Sequence, residues 1–332
     1  MALRPRKKRP HMLSSKPRST AKLLTLLIAA PLALAAQLCL AAGDINFNAD
    51  TVYPEGAAYS ARQSSFLVGS VRHGTIGKVS AEGRYTPFIQ DKALISSTGL
   101  FLDAKRNTLW VANGDVGGSV QSGPATQGKL AAVAAYDATT GARKGYYDLS
   151  SLFEGAHFAN DIAVDAKGNV YVTDSFSPVI YRIDTTGKAT VFAHDERFTG
   201  EGFNLNGIVY HPDGYLLVNK HNSGELFRVS VRDPKQITAV KLPEALRGAD
   251  GMVLRKPGLI SLAQNGDANR AVELVSTDGW KSATVKSSRK SIYPFPTAAA
   301  VANGEVYILN ARLDSLLTPD APKVSDFVLQ KY

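Results

Sequence analysis

The sequence ANDIAVDAKGNVYVTD, residues 159–174, contains the clearest indication of the fold. It begins with the polar pair Asn160-Asp161 and continues with a short apolar run over residues 162–164. A turn follows at residues 166–169, and then a second run of β-branched and aromatic residues. Two such runs separated by a turn that contains Gly-Asn predict a β-hairpin.

The same unit recurs along the chain. Each of its six copies begins with a residue that carries a side-chain oxygen: Glu55, Thr98, Asn160, Asn206, Asp250 and Thr297. Neighbouring starts are 43 to 47 residues apart, except for one interval of 62 that contains a Gly/Ser/Gln-rich insertion at residues 113–129. We expect this insertion to form an exposed loop. Six units of three or four strands at this period predict an all-β fold, a six-bladed β-propeller.

The last copy is one strand short, and this suggests how the ring closes. Residues 45–52 are expected to supply the missing strand, so that N- and C-terminal strands pair and no sheet edge stays open. Residues 43–332 then form a single domain. An open array such as a β-sandwich is the alternative, although sandwiches lack a repeated starting motif.

The first 42 residues have the composition of a secretory leader. Residues 1–22 contain eight Lys or Arg and no acidic residue, and residues 23–42 are almost entirely apolar. This pattern predicts a signal peptide over residues 1–42, with Met12 as a second candidate for the true start, and a periplasmic or secreted protein. An uncleaved membrane anchor is the alternative. Cys39 lies in the leader and is the only cysteine, so the mature chain would have no disulfide.

The formal charge of +9 comes mainly from the same leader. The rest of the chain is nearly neutral, with no basic surplus to neutralise phosphates. We therefore expect a small-molecule substrate as the partner, no nucleic acid, and no membrane after the signal is cleaved. The oligomeric state stays open.

The repeat also predicts a metal site. The innermost strands of a propeller start at the same end of its axis, so the six polar starts should converge. Two carboxylates and two amides facing one narrow axis would repel or stay unsatisfied without a cation. Oxygen donors without His or Cys favour Ca²⁺, with Mg²⁺ or Mn²⁺ as alternatives. A water-filled channel is the other interpretation.

The strand starts around Glu55, Asn160, Asn206 and Asp250 resemble those of the gluconolactonase, regucalcin and luciferin-regenerating enzyme family, with paraoxonase and diisopropylfluorophosphatase as more distant relatives. The resemblance covers roughly residues 50–320. It implies a calcium-dependent propeller in which these four residues hold one divalent ion. It also implies that Asp161 is a candidate for a second, structural calcium.

The loops after the second strand of each unit should lie on the face of the ion, and they are polar. His73 and His221 are candidate general bases there, and His157 is a third. His194 and His211 are expected to be structural. Residues expected on the substrate side are Thr98, Arg72, Lys220, Arg312 and Thr297.

These features together favour a secreted Ca²⁺-dependent hydrolase of lactones or related esters. The metal would act as a Lewis acid, and Asp250 or a metal-bound water would attack the carbonyl carbon. Two alternatives remain: a propeller that only binds a ligand or a protein on its loop face, and a phosphotriesterase-like hydrolase. No Gly-Xaa-Ser-Xaa-Gly elbow and no Walker sequence occurs in the chain.

Overall fold

The computed structural model describes residues 43–332, so the predicted leader, with Met12 and Cys39, lies outside the described residues. Over the described part the structure is nearly all β, with 24 strands, one short α-helix and two turns of 3₁₀-helix. None of its helices between residues 43 and 332 is long and apolar enough to cross a membrane.

The strands fall into six groups of four, which we call units 1 to 6. Before unit 1 comes β1 (Ile45–Asn48). Unit 1 contains β2 (Ala57–Ser60), β3 (Ser65–Val68), β4 (Thr75–Ser80) and β5 (Tyr85–Gln90). Unit 2 contains β6 (Ser96–Asp103), β7 (Thr108–Gly114), β8 (Lys129–Asp137) and β9 (Arg143–Asp148). Unit 3 contains β10 (His157–Val164), β11 (Val170–Asp174), β12 (Val179–Ile183) and β13 (Ala189–His194).

The second half of the chain continues the pattern. Unit 4 contains β14 (Leu205–His211), β15 (Tyr215–Lys220), β16 (Glu225–Ser230) and β17 (Ile237–Ala239). Unit 5 contains β18 (Ala249–Lys256), β19 (Leu259–Gln264), β20 (Arg270–Val275) and β21 (Thr284–Lys290). Unit 6 contains β22 (Pro296–Ala302), β23 (Glu305–Asn310), β24 (Asp326–Lys331) and β1. The helix α1 (Leu313–Leu317) lies between β23 and β24, and the 3₁₀ turns are Ser150–Leu152 and Glu196–Phe198.

The hairpin of residues 159–174 shows how hydrogen bonds within a turn fix where its two strands end and begin. Asp165 directly follows β10, and its Oδ1 accepts hydrogen bonds from the backbone amides of residues 167, 168 and 169. Gly168 has a φ of +103°, a backbone region open to glycine. The turn therefore reverses the chain into β11, which is buried over its whole length.

The apolar core is divided among the interfaces between units. Each of six clusters of buried side chains joins one unit to the next, and one of them joins unit 6 to unit 1. The first strands of neighbouring units also contact one another in sequence, and β22 contacts β2. Units 2 and 3 share a short parallel pairing of β10 with β8, which makes them one eight-stranded sheet.

The N-terminal strand completes unit 6. β1 pairs antiparallel with β24, with Ile45 opposite Leu329 and Phe47 opposite Phe327. The pairing covers Ile45–Asn48, which is shorter than the stretch expected from the sequence. Alternate residues Ile45 and Phe47 are buried, while Asn46 and Asn48 face solvent, as a half-buried outer strand requires.

Candidate functional site

The six strand starts do converge. One cavity of about 70 Å³, which we call the upper cavity, has a floor formed by Glu55, Thr98, Asn160, Asn206, Asp250 and Thr297. All six are buried. We call this set the ring. On its other side a wider channel of about 350 Å³ runs between the first strands, and it shares Glu55, Asn160, Asn206 and Thr297 with the upper cavity.

Irregular pairing between the first and second strands turns the ring side chains toward the upper cavity. The register between first and second strand shifts at the ring position in units 2 to 6, for example between Ala159 and Ile162 and between Ala249 and Met252. Such bulges commonly redirect a side chain beside a functional site. Backbone groups at a bulge lose their partners in the neighbouring strand and bind side chains in their place. At Asp250, for example, the backbone carbonyl oxygen accepts a hydrogen bond from Asn219 Nδ2 at 2.6 Å.

Small residues after the ring positions let the first strands approach one another. A Cβ at Gly251 would lie 2.6 Å from the Thr297 carbonyl oxygen, and one at Gly207 would collide with the Asp250 carbonyl oxygen. The second residue of the pair is small in five of the six units, with Asp161 of unit 3 as the exception, and in those five units the pair has two roles. Its first residue supplies a side chain to the ring, and its second keeps the ring narrow.

The ring brings buried carboxylates together. The pKa of Glu55 is raised well above its ordinary value by burial and by the charges of Asp250 and Asp161. Burial also raises the pKa of Asp250, with a further contribution from Asp161. No group among residues 43–332 donates a hydrogen bond to the Glu55 carboxylate, so the charge is costly to hold there alone.

Two buried amide oxygens in the ring lack a hydrogen-bond partner among the described residues: Asn160 Oδ1 and Asn206 Oδ1. The opposite end of one amide is fixed, because Asn160 Nδ2 donates to Ser175 Oγ at 2.9 Å. Buried acceptors without a partner are rare and call for an explanation such as an ion.

The donor set Glu55, Asn160, Asn206 and Asp250 fits a hard divalent cation. Such an ion would neutralise the two carboxylates and satisfy the two free amide oxygens, which are the donor types that Ca²⁺ takes. No cluster of three or more His, Cys, Asp and Glu side chains suited to a metal occurs between residues 43 and 332. Two of the four candidate ligands, Asn160 and Asn206, are amides, so this donor set does not count as such a cluster.

A hydrogen-bonded chain leads from the ring to a histidine. Asp250 Oδ1 accepts from Gly251 N at 2.8 Å, and Asp250 Oδ2 accepts from Asn265 Nδ2 at 2.6 Å. Asn265 Oδ1 therefore faces His221 Nε2, at 2.9 Å. Since an amide oxygen can only accept, His221 Nε2 carries the proton and Nδ1 is the free base. Burial lowers the pKa of His221, which favours the neutral imidazole.

The walls of the upper cavity are apolar, unlike the polar face expected from the loop sequences. They are formed by Val71, Val116, Phe158, Phe203, Phe295, Leu313 and Leu317, together with His221 and Asn265. Phe158 and Phe203 pack edge to face with ring centroids 5.6 Å apart, and Phe203 lies 6.1 Å from His221. The polar side chains of those loops are mostly turned away from the cavity and hold the loops together.

The insertion is more ordered than the exposed loop expected for it. Asp115 is fully buried, and it accepts hydrogen bonds from Gly117 N, Ser122 Oγ and Thr126 Oγ1. Through Val116 this segment adds a wall to the cavity next to α1.

Four of the residues expected near the substrate do not line the cavity. His73 Nε2 lies 3.2 Å from Thr51 Oγ1. Lys220 Nζ donates to the carbonyl oxygens of residues 197 and 199. Arg312 pairs with Asp326 at 2.6 Å and covers the Tyr293 ring. Arg72 holds the insertion through its carbonyl oxygen, which accepts from residue 120.

The two ring threonines line the cavity, but both of their hydroxyl groups already donate a hydrogen bond to a backbone carbonyl oxygen. Thr98 Oγ1 donates to Ala159 O at 3.0 Å, and Thr297 Oγ1 donates to Glu55 O at 2.8 Å. They join the first strands of neighbouring units rather than offer a donor to a ligand.

The other three histidines of residues 43–332 do not line the upper cavity. His157 is buried, with Nδ1 2.8 Å from Asp174 Oδ2, and that hydrogen bond raises the pKa of His157. His211 stacks on Tyr215 with centroids 4.2 Å apart. His194 is largely exposed beside Glu196.

Asp161, the candidate for a second ion, lies in the channel. Its oxygens accept from the backbone amides of Ile162 and Ile208 at 2.8 and 3.3 Å. Burial raises the pKa of Asp161 to about 7.

The sequence did not single out Asn265 or Ser175, which position Asp250 and Asn160, nor the phenylalanines of the walls. Their signal in the sequence is weak, because a polar residue at a strand end and a phenylalanine in a loop are both common.

No family model matches the chain, and no curated protein sequence matches it. Solved structures with the same fold include the Malassezia sympodialis allergen Mala s 1, with 20% identity over 87% of this chain and 95% of that one and a TM-score of 0.69. The luciferin-regenerating enzyme has 14% identity over 86% and 94% of the two chains and a TM-score of 0.58. A structural-genomics protein assigned as a gluconolactonase has 15% identity over 87% and 93% and a TM-score of 0.58. The chain therefore has a β-propeller fold, shared with the luciferin-regenerating enzyme and the gluconolactonase structure.

Proposed function

We propose that the protein is a secreted, Ca²⁺-dependent hydrolase of lactones or related esters. The observation that carries this proposal is the ring itself, where two buried carboxylates and two amide oxygens without partners form the floor of an apolar cavity. An enzyme site of this kind combines a few convergent polar groups with a mostly apolar lining.

The architecture in this proposal is a closed, six-bladed propeller in which units 1 to 6 are the blades. The support is the ring of contacts among the first strands, the six interface clusters and the pairing of β1 with β24. Closure of this kind would bring the six polar starts together around one central channel.

Glu55, Asn160, Asn206 and Asp250 would hold the cation; Mg²⁺ and Mn²⁺ are the alternatives to Ca²⁺. When bound, it would supply a Lewis acid for the substrate carbonyl oxygen. The chain itself contributes the other functions. Asp250, oriented by Gly251 and Asn265, serves as the base or nucleophile toward the carbonyl carbon.

His221 contributes a second basic atom on the cavity wall. Its free Nδ1 can accept a proton from water, while its Nε2 proton is held by Asn265 Oδ1. The apolar walls exclude bulk water, which strengthens the electrostatic interactions of the ring.

The proposed location is the periplasm or the extracellular space, because residues 1–42 have the composition of a leader. The proposed partner is a small molecule. A nearly neutral domain offers no basic surface for nucleic acid.

The test uses the mature protein and a panel of lactones, aryl esters and phosphotriesters. Hydrolysis of lactones or esters should stop after treatment with EDTA and return with Ca²⁺. Asp250→Asn should lower the rate by at least about 10²-fold. Lactone hydrolysis that persists in a protein shown by metal analysis to be free of divalent ions would refute the mechanism.

A binding protein without turnover is the second candidate function. The observation in its favour is the lining of the upper cavity, which is mostly apolar and contains no serine or cysteine nucleophile among the described residues. Such a protein would bind apolar ligands and show no turnover with any member of the panel.

A further inference from the structure

The upper cavity restricts which lactones or esters can enter. We propose, resting on the function proposed above, that the substrate is a small lactone or ester with an apolar substituent, rather than a polyhydroxylated sugar lactone. Three features of the cavity support this restriction: its size, the hydrogen-bond partners that remain free in it, and the chemistry of its mouth.

The size of the cavity limits the reacting group. A volume of about 70 Å³ corresponds to roughly five to seven water-sized positions. A five- or six-membered lactone ring or a short acyl group fills that space. A larger substrate must extend through the mouth, so the chemistry of the mouth decides what the rest of the substrate can be.

Few donors in the cavity are free to meet a substrate hydroxyl group. Thr98 and Thr297 donate to backbone carbonyls, and Asn160 and Asn265 donate to Ser175 and Asp250. The four ring ligands are occupied when a cation is bound. The free acceptor on the wall, His221 Nδ1, can satisfy one substrate hydroxyl group. The further hydroxyl groups of a polyhydroxylated ring would be buried without a partner, and such burial is unfavourable.

The mouth of the cavity is the part of its lining that is open to solvent, and its side chains there are apolar. Val116 belongs to the insertion, Leu317 to α1, and Phe203 to the loop before β14. Leu317 lines the cavity and is 42% exposed, the largest exposure of a leucine among residues 43–332, so a substituent that leaves the cavity would pass it. An alkyl group there would cover Leu317, whereas hydroxyl groups would be desolvated against it.

The experiment compares three δ-lactones with the calcium-loaded protein: δ-valerolactone, the same ring with an alkyl substituent, and glucono-δ-lactone. We expect kcat/KM for the alkyl-substituted lactone to exceed that for glucono-δ-lactone by at least about tenfold. Leu317→Gln should reduce this ratio severalfold. Ile292→Gln is the matched control, because Ile292 is equally exposed at 46% but does not line the cavity.

Equal or faster turnover of glucono-δ-lactone would overturn the proposal, and so would a ratio that Leu317→Gln leaves unchanged. If neither these lactones nor the esters of the panel are hydrolysed, the proposed function fails, and binding then tests the cavity separately. A rise in melting temperature with 4-propylcyclohexanone but not with glucose would still support an apolar ligand. The reverse result, or no rise with either probe, would refute it.

Discussion

The Asp250 carboxylate accepts two hydrogen bonds, from Gly251 N and Asn265 Nδ2, and still faces the charges of Glu55 and Asp161. Hydrogen bonds favour its charged form, while burial and the neighbouring carboxylates oppose it. The effect of burial on the pKa of Asp250 exceeds that of the hydrogen bonds, because this pKa is raised. A cation would reverse this balance, so Asp250 is the residue at which the presence of a metal matters most.

The first prediction compares two ring residues. Asp250→Asn keeps the shape of the side chain and removes one of two formal charges from the ion, whereas Asn206→Ala removes a neutral donor. Both should weaken calcium binding, with Asp250→Asn the worse, by more than about 100-fold. Isothermal titration calorimetry measures the affinities. Equal calcium affinity in wild type and Asp250→Asn would mean that the ring only holds water.

The second prediction separates His73 and His221, both candidate bases from the sequence, where the position of His73 after the unit of Glu55 favoured His73. His221 lines the cavity and His73 does not. We expect His221→Gln to lower kcat by about 10² to 10⁴-fold with calcium content unchanged. His73→Gln should change kcat little. A large loss in His73→Gln together with full activity in His221→Gln would contradict this assignment.

The third prediction concerns pH and His157. The hydrogen bond to Asp174 raises the pKa of His157 above 6.5, so the charged form stabilises the folded state. That contribution is fully present below pH 6.5 and is lost as pH rises through the folded-state pKa. Urea unfolding between pH 5 and 9 should show this loss in wild type and a flatter curve in His157→Gln. His194→Gln, at an exposed position, should follow the wild-type curve.

At the scale of elements, β1 is the strand whose role is most easily tested. Phe47 is 4% exposed, and its ring centroid lies 5.7 Å from that of Phe327 on β24. Phe47→Ala should cost about 3 to 5 kcal/mol of unfolding free energy. Asn48→Ala, on the exposed side of the same strand, should change it by less than about 0.5 kcal/mol.

Deleting residues 43–48 should destabilise the protein at least as much as Phe47→Ala, since it also exposes the edge of β24. Melting temperature and urea denaturation measure both variants. A deletion with the melting temperature of the wild type would show that β1 does not complete unit 6.

The elements also show how far the sequence could predict the structure. Strand pairs such as β10 and β11 follow from alternation and turn residues, which act locally. The bulges at Asn160 and Asp250 could not be read from the chain, because they depend on the neighbouring first strand. The ring residues were predictable because the repeat places them at one position in every unit. The roles of Lys220 and Arg312 were not, because their carbonyl and carboxylate partners lie in other loops.

At the scale of the whole molecule, a cation in the ring would touch residues from units 1, 3, 4 and 5. Calcium should therefore stabilise the molecule as one body. At about 1,000 times its Kd it would add roughly 4 kcal/mol, or roughly 8 °C in melting temperature. Differential scanning calorimetry with calcium and with EDTA measures the shift. Asp250→Asn should show a smaller one, and an unchanged wild-type melting temperature would argue against the ion.

The pairing of β1 with β24 sets an order of events during synthesis. Ile45 and its partner Leu329 are about 280 residues apart, so at roughly 5 to 20 residues per second the ribosome releases them about 15 to 55 s apart. During that interval β1 has no partner, and the core between units 6 and 1 cannot form. Unit 6 is therefore the last to be assembled, and a chain that stops before residue 326 leaves the first strand without a partner as well as lacking the last.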